Sequence, residues 1–280
     1  MTTVLDVQRF KDEGRRFAML TAYDYLSARI LDEAGIPILL VGDSLGMVML
    51  GHPTTLPVTM DDMLVHAKAV SRGARQALLV GDMPFMSYQV SADEAVRNAG
   101  RFVQEGGMHA VKLEGGGDRI VEITRRLTEA GVPVMGHLGL TPQSVHAMGG
   151  FKVQGKTEPQ AARILRDAKA LEEAGAFSVV LEGMPSALAG RVTKALRIPT
   201  IGIGAGPQTD GQVLVYHDFL GLTTGKAPKF VKRYANLAEE IDRAAHRFAD
   251  DVRTGTFPAS EHEYSANGSP AVPHEVKYGA

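Results

Sequence analysis

No cysteine occurs among the 280 residues. Its absence excludes disulfides, thiolate metal ligands and cysteine nucleophiles, and is in keeping with a reducing compartment. An excess of one charge is also missing. Thirty Lys and Arg stand against 32 Asp and Glu, a formal net charge of −2, which gives no reason to expect nucleic acid or an anionic membrane as partner. No apolar stretch approaches the length of a membrane span. The first residues, MTTVLDVQRFKDEGRR, are too charged for a signal peptide. These absences together lead to the expectation of a cytoplasmic protein.

Hydrophobic residues make up 44% of the chain and charged residues 22%, the composition of a globular protein able to bury a sizeable core. The 31 glycines gather where apolar runs meet loops. From about Pro258 the chain turns polar, rich in Pro, Ser and Gly, and loses periodicity. No linker divides what precedes it. The expected organisation is one domain over 1–257 and a mobile polar tail over 258–280.

Four apolar runs end in a carboxylate: Leu39–Asp43, Leu78–Asp82, Val111–Glu114 and Val179–Glu182. Runs with so little polar relief read as strands buried on both faces, the pattern of a parallel sheet. Counting similar runs predicts eight strands: Phe17–Ala22, Ile38–Gly42, Ala77–Gly81, Ala110–Leu113, Val132–Gly136, Phe177–Leu181, Thr200–Ile203 and Val213–Tyr216. Segments of helical period lie between them. Thr59-x-x-Asp62 and Ser91-x-x-Glu94 have the form of capping boxes. A helix over Ala161–Gly175 ends on a glycine suited to a left-handed C′ position. A last amphipathic helix, Asn236–Thr254, carries Leu237, Ile241, Ala244, Ala245, Phe248 and Val252 on one stripe, with packing on its own domain the expectation. Eight strands alternating with helices predict a (β/α)₈ TIM barrel with a C-terminal helix and polar tail.

An acid at the end of a buried strand is costly to desolvate without a cation, a hydrogen-bond set or a proton. Asp43 and Asp82 end neighbouring strands and follow glycines that let the backbone turn. Each has two readings, a metal ligand or an N-cap for the next helix. With Glu114 ending the following strand, the metal reading moves ahead, and oxygen donors favour Mg²⁺. Lys112 lies two residues before Glu114 and so shares its side of the strand. It is either a donor to an oxyanion or a structural partner of Glu114. Glu182 can face the metal site across the barrel as a general base of raised pKa, or be an acid paired with a cation. The role of His137 is left open. The turn Gly202–Gly206 has a phosphate-binding and a close-packing reading.

The segments TAYDYLSARILDEAGI, LLVGDSLGMVMLGHPTTLPVT, GDMPFMSY, AVKLEGG, GHLGLTPQSV, GGFKVQGK, VVLEGMPSALA and IGIGAGPQTDGQVLVYHD resemble the ketopantoate hydroxymethyltransferase family, from about residue 8 to about 262. That family lies in the barrel superfamily of phosphoenolpyruvate mutase and isocitrate lyase. The resemblance implies transfer of a hydroxymethyl group from 5,10-methylenetetrahydrofolate to 3-methyl-2-oxobutanoate. The product is 2-dehydropantoate, on the route to pantothenate, formed through a Mg-stabilised enolate. It implies Asp43, Asp82 and Glu114 as Mg²⁺ ligands, and Asp43, Ser44, Asp82 and Lys112 as contacts of the oxo-acid. Glu182 would be the proton acceptor. It further implies a homo-oligomer, with decamers of five dimers common in the family. Two features depart from the family pattern: three glycines after Glu114 where two are usual, and the extended polar tail. Two other readings stand beside it, an oxo-acid lyase of the same superfamily and a barrel that binds without turnover.

Overall fold

The computed structural model describes residues 1–223, 225 and 227–264, so residues 265–280 of the expected tail lie outside the described residues. In chain order the first elements are α1 (Val4–Asp12), β1 (Phe17–Thr21), α2 (Tyr25–Glu33), β2 (Ile38–Val41), α3 (Leu45–Val48) and α4 (Met60–Gly73). Then come β3 (Leu78–Asp82), α5 (Ala92–Gln104), β4 (Ala110–Glu114), α6 (Asp118–Glu129), β5 (Val134–Gly139) and α7 (Glu158–Glu173). The last are β6 (Ser178–Glu182), α8 (Ser186–Ala195), β7 (Thr200–Ile203), β8 (Gly211–Leu214), α9 (Tyr216–Phe219) and α10 (Leu237–Thr254). All eight expected strands are present, displaced by up to three residues at their ends. Each pairs in parallel with the next, and β8 returns to β1 to close the barrel. Among the described residues no helix is long and apolar enough to cross a membrane.

Local chemistry fixes the helix starts. At α4, Thr59 Oγ1 accepts the Asp62 N–H at 3.2 Å, and Asp62 Oδ2 accepts the Thr59 N–H at 2.9 Å, the reciprocal box the sequence predicts. At α5 only half of that box forms: Ser91 Oγ accepts the Glu94 N–H at 3.1 Å. α7 begins three residues earlier than its apolar stripe suggests. Pro159 in its first turn is pre-set for helix, and Gln160 reaches back to the Thr157 N–H. It ends as expected on Gly175, at φ +97°.

The chain divides into two compact units. Among the described residues, one is Met1–Tyr216 with Pro228–Val231, and the other is His217–Ala227 with 232–264. The first holds the barrel. Its interior is a single apolar cluster of inward residues, including Met19, Ile38, Leu40, Leu78, Val80, Ala110, Met135, Val180, Ile201 and Val213. Val7 and Phe10 of α1 join that cluster at the end where the strands start, and the Phe10 and Phe17 ring centres lie 5.4 Å apart. This end is the floor. A second apolar layer, with Leu171, Val179, Leu181, Leu188 and Val192, packs strands against the outer helices.

In the second unit, α10 has no buried residue. Its expected stripe is exposed, with Ile241 and Phe248 each 58% accessible and Val252 51%. The Phe248 ring meets Phe257, and Phe257 meets His262, so the chain just past the helix folds back on itself. Packing of the stripe, expected from its period, is therefore not found: amphipathicity defines which face is apolar and says nothing of what covers it.

Candidate active site

Side chains alternate along a strand, so every second residue enters the barrel. Moving two residues beyond Val80, Ala110, Met135 and Val180 replaces the apolar cluster by Asp82, Lys112, His137 and Glu182. Glu114 follows Lys112 on the same row, and Asp43 comes just past the end of β2. Strand register brings them together, pairing Asp82 with Lys112 and Glu114 with His137. Asp43, Asp82, Lys112, Glu114 and His137 are each 5% exposed or less.

The contacts form a chain across the mouth. The Asp43 N–H donates to Asp82 Oδ2 at 3.2 Å. Lys112 Nζ is 2.8 Å from Asp82 Oδ1 and 3.9 Å from Glu114 Oε1. His137 Nδ1 is 3.3 Å from Glu114 Oε1, and its Nε2 is 3.1 Å from Glu182 Oε2. The structure thus joins every acid the sequence singles out, through one lysine and the histidine whose role the sequence leaves open. Ser44 stands at the accessible edge, its Oγ 2.9 Å from the Tyr23 hydroxyl. The Glu182 side chain keeps 17% of its surface, so its desolvation is incomplete.

The N-cap alternative fails for both aspartates. α3 is preceded by Ser44 and α5 by Ser91, and neither Asp43 nor Asp82 caps a helix. The glycines before them also act differently from expectation. Neither Gly42 nor Gly81 adopts positive φ. A Cβ on Gly81 would meet the Phe102 ring at 2.5 Å, so glycine there admits the helix α5 close to the strand. The Gly202–Gly206 turn likewise serves packing, since a Cβ on Gly204 would come within 2.8 Å of the Phe230 ring.

The electrostatics follow from burying several acids together. Burial raises the Asp43 pKa well above its ordinary value, and repulsion from Asp82 and Glu114 adds to this. Burial also raises Asp82, with Lys112 pulling the other way. Glu114 is lowered despite burial, because His137, Lys112 and the Gln143 N–H favour its charged form. Burial opposes charge on Lys112, yet Asp82, Glu114 and Asp43 outweigh it and raise its pKa. Burial and Lys112 oppose charge on His137, but Glu114 and Glu182 lift it to about 9. The acids around them thus favour the charged forms of both Lys112 and His137.

Oxygen donors from three buried carboxylates, with no thiolate, are the donor chemistry of a hard divalent cation such as Mg²⁺. The buried Asp82 Oδ1 has no aligned hydrogen-bond donor, only the nearby Lys112 ammonium. Among the described residues no three acids or histidines already stand converged as a ligand set. In this arrangement the positive charge among Asp82 and Glu114 is supplied by Lys112. The residues present fit the ion in type, number and burial.

Sequence reasoning missed Gln143 and Tyr88. Gln143 lies in the short 3₁₀ turn Pro142–Ser144 after β5; in the sequence its marks are its place just past a strand end and within the segment GHLGLTPQSV. Its Nε2 donates to Asp43 Oδ2 and to the Met83 carbonyl, each at 2.9 Å. Its backbone N–H donates to Glu114 Oε2 at 2.9 Å. The Tyr88 hydroxyl is 2.8 Å from Gln143 Oε1 and accepts the Glu114 N–H at 3.1 Å.

The model of the family described as ketopantoate hydroxymethyltransferase matches residues 1–260. The 3-methyl-2-oxobutanoate hydroxymethyltransferase of Syntrophus aciditrophicus (strain SB) is 60% identical over 258 residues, covering 92% of this chain and 94% of that one. The protein of the same name from Geobacter sulfurreducens is 55% identical over 263 residues, 94% of this chain and 98% of that one. Among solved structures, 2,3-dimethylmalate lyase, a PEP mutase/isocitrate lyase superfamily member, superposes with a TM-score of 0.60 at 18% identity. That superposition spans 95% of this chain and 89% of the lyase. Phosphonopyruvate hydrolase, solved with oxalate and Mg²⁺, gives 0.60 at 16% identity over 95% and 93%. At such identities these two speak for the barrel fold alone.

Proposed function

The chain belongs to the ketopantoate hydroxymethyltransferase family, and from that premise we propose that it hydroxymethylates 3-methyl-2-oxobutanoate to 2-dehydropantoate in pantothenate biosynthesis. The one-carbon donor in this reading is 5,10-methylenetetrahydrofolate. The observation that carries it is the separation at the barrel mouth: Glu182 stands clear of Asp43, Asp82 and Glu114, and His137 comes between.

That separation suits proton abstraction. An acid placed against a divalent cation loses basicity, whereas one held apart keeps it. Glu182 takes the proton from carbon 3 of the oxo-acid, and the electron pair of the broken C–H bond spreads onto the keto oxygen. Lys112 offers that oxygen a charge-assisted hydrogen bond. Mg²⁺, held by Asp43, Asp82 and Glu114, supplies Lewis-acid polarisation of the oxo-acid when bound. Ser44, at the accessible edge, orients the substrate. Carbon 3 then bonds to the methylene carbon of the donor, whose two C–N bonds break in turn. Water supplies the hydroxyl oxygen, and the proton taken by Glu182 and one from that water end on the two donor nitrogens. The His137 ring, its Nε2 3.1 Å from Glu182 Oε2, holds the Glu182 carboxylate in place. Self-association belongs to the same reading, and the exposed apolar stripe of α10 supports it.

Glu182→Gln tests the assignment. The variant is expected to lose exchange of the carbon-3 proton into D₂O by about 10²–10⁴-fold while still binding the oxo-acid. Exchange at the wild-type rate would remove Glu182 as base. Exchange without folate-dependent product in the unaltered protein would favour an oxo-acid lyase instead.

A further inference from the structure

Gln143 is a buried polar side chain at the mouth whose amide is bonded from both ends. Its two amide protons go to Asp43 Oδ2 and the Met83 carbonyl. Its oxygen receives the Tyr88 hydroxyl at 2.8 Å and Gln89 Nε2 at 3.1 Å. The orientation of the amide is decided by chemistry: a carbonyl and a carboxylate can only accept, so nitrogen must face Met83 and Asp43. The same residue fixes Glu114 through its backbone N–H. One residue therefore grips two of the three acids of the cation site.

A neutral donor is the suitable group for this task. Asp43 is repelled by Asp82 and Glu114 at once, and a second lysine at position 143 would compete with the cation. An amide restrains Asp43 without adding charge of either sign. It engages Oδ2 only, and among the described residues no hydrogen bond reaches Oδ1.

The geometry points to Gln143 as the positioning residue of the cation site, presetting Asp43 and Glu114 for a divalent ion, with Tyr88 holding the amide from behind. This rests on the reading of Asp43, Asp82 and Glu114 as ligands of a divalent ion. It differs from a purely structural role for Gln143, which would lock the β5 turn and leave cation affinity untouched. Groups that orient a metal's ligands are commonly worth about 10–100-fold in affinity.

The test is Mn²⁺ affinity by electron paramagnetic resonance on the full chain, with circular dichroism and thermal unfolding of the metal-free protein as the check on folding. Gln143→Met removes donor and acceptor at similar shape, and Gln143→Glu replaces the donor by an acid. Each is expected to raise the Mn²⁺ dissociation constant by about 10–100-fold. Tyr88→Phe, which keeps the amide but removes its support, is expected to raise it severalfold and guards against a Gln143 variant that does not fold. Turnover at saturating Mn²⁺ should recover in Gln143→Met much of what it loses at low Mn²⁺. Folded variants that bind Mn²⁺ within twofold of the unaltered protein would overturn the assignment of Gln143 alone. An unaltered protein that binds no Mn²⁺ would overturn the cation site itself, and the assignment with it.

Discussion

At the floor of the barrel Asp32 is 6% exposed, and its carboxylate accepts the backbone N–H groups of Arg75, Gln76 and Ala77 at 2.7–2.9 Å. At the mouth Asp43 is 4% exposed, and its carboxylate receives a single side-chain donor, from Gln143, with two other acids close by. Both are buried aspartates in the same chain, so burial does not distinguish them. The partners do. The floor ties down chain geometry with complete sets of donors, as Asp210 also does with Lys11 at 2.8 Å and the Thr200 N–H at 2.8 Å. The mouth gathers acids whose charges are only partly answered, which is the state that a cation and an anionic substrate can complete. Unsettled charge, more than buried charge, marks a site that acts.

The contrast can be broken most sharply by substituting the two aspartates in parallel. Asp43→Asn should cut turnover by about 10³-fold while leaving the urea-unfolding free energy unchanged or higher, because it relieves repulsion. Asp32→Asn should leave turnover per folded molecule unchanged and cost about 2–3 kcal/mol of stability, since an amide cannot serve three N–H donors. Equal loss of stability in both would erase the distinction drawn here.

Lys112→Met gives the next largest effect. Removing the ammonium leaves Asp82 and Glu114 buried without it, a loss of about 3 kcal/mol in metal-free protein. Added Mg²⁺ should then raise the thermal midpoint more in the variant than in the unaltered chain. A midpoint unmoved by the substitution would show that Lys112 does not balance the acids.

The smallest effect lies back toward the floor. His109 Nδ1 accepts the Leu79 N–H at 3.0 Å, and burial lowers the His109 pKa below its ordinary 6.5. The unfolded chain therefore takes up the proton first. Stability is whole above about pH 6.5 and falls as the pH drops through the lowered folded value. His109→Asn, which can still accept the N–H, should flatten the decline between pH 7 and 5 measured by urea unfolding. An unchanged slope would place the decline elsewhere.

Much of this architecture was legible in the chain. Eight apolar runs and their spacing predicted eight parallel strands, and Thr59 with Asp62 predicted the start of α4 to the residue. Alternation placed Lys112 and Glu114 on one side of β4. The motif series around Asp43, Asp82, Lys112 and Glu182 pointed to the family that the comparisons found. Ser91 with Glu94 likewise predicted the start of α5, although only the serine half of that box forms. Less legible was the start of α7, where a proline and a glutamine set the boundary. The exposed stripe of α10 and the packing role of Gly81 were not legible at all, since each depends on what stands opposite.

Determined by the sequence alone were the features set by neighbours along the chain: strand and helix periods, caps, and which residues share a face. Only the tertiary structure decided which oxygen meets which nitrogen. Closing the barrel brings Gln143 within 2.9 Å of Asp43, a hundred positions away, and puts His137 between Glu114 and Glu182. Periodicity repeats over a few residues and carries no information across such distances. Partner choice in the site is settled by the geometry of closure.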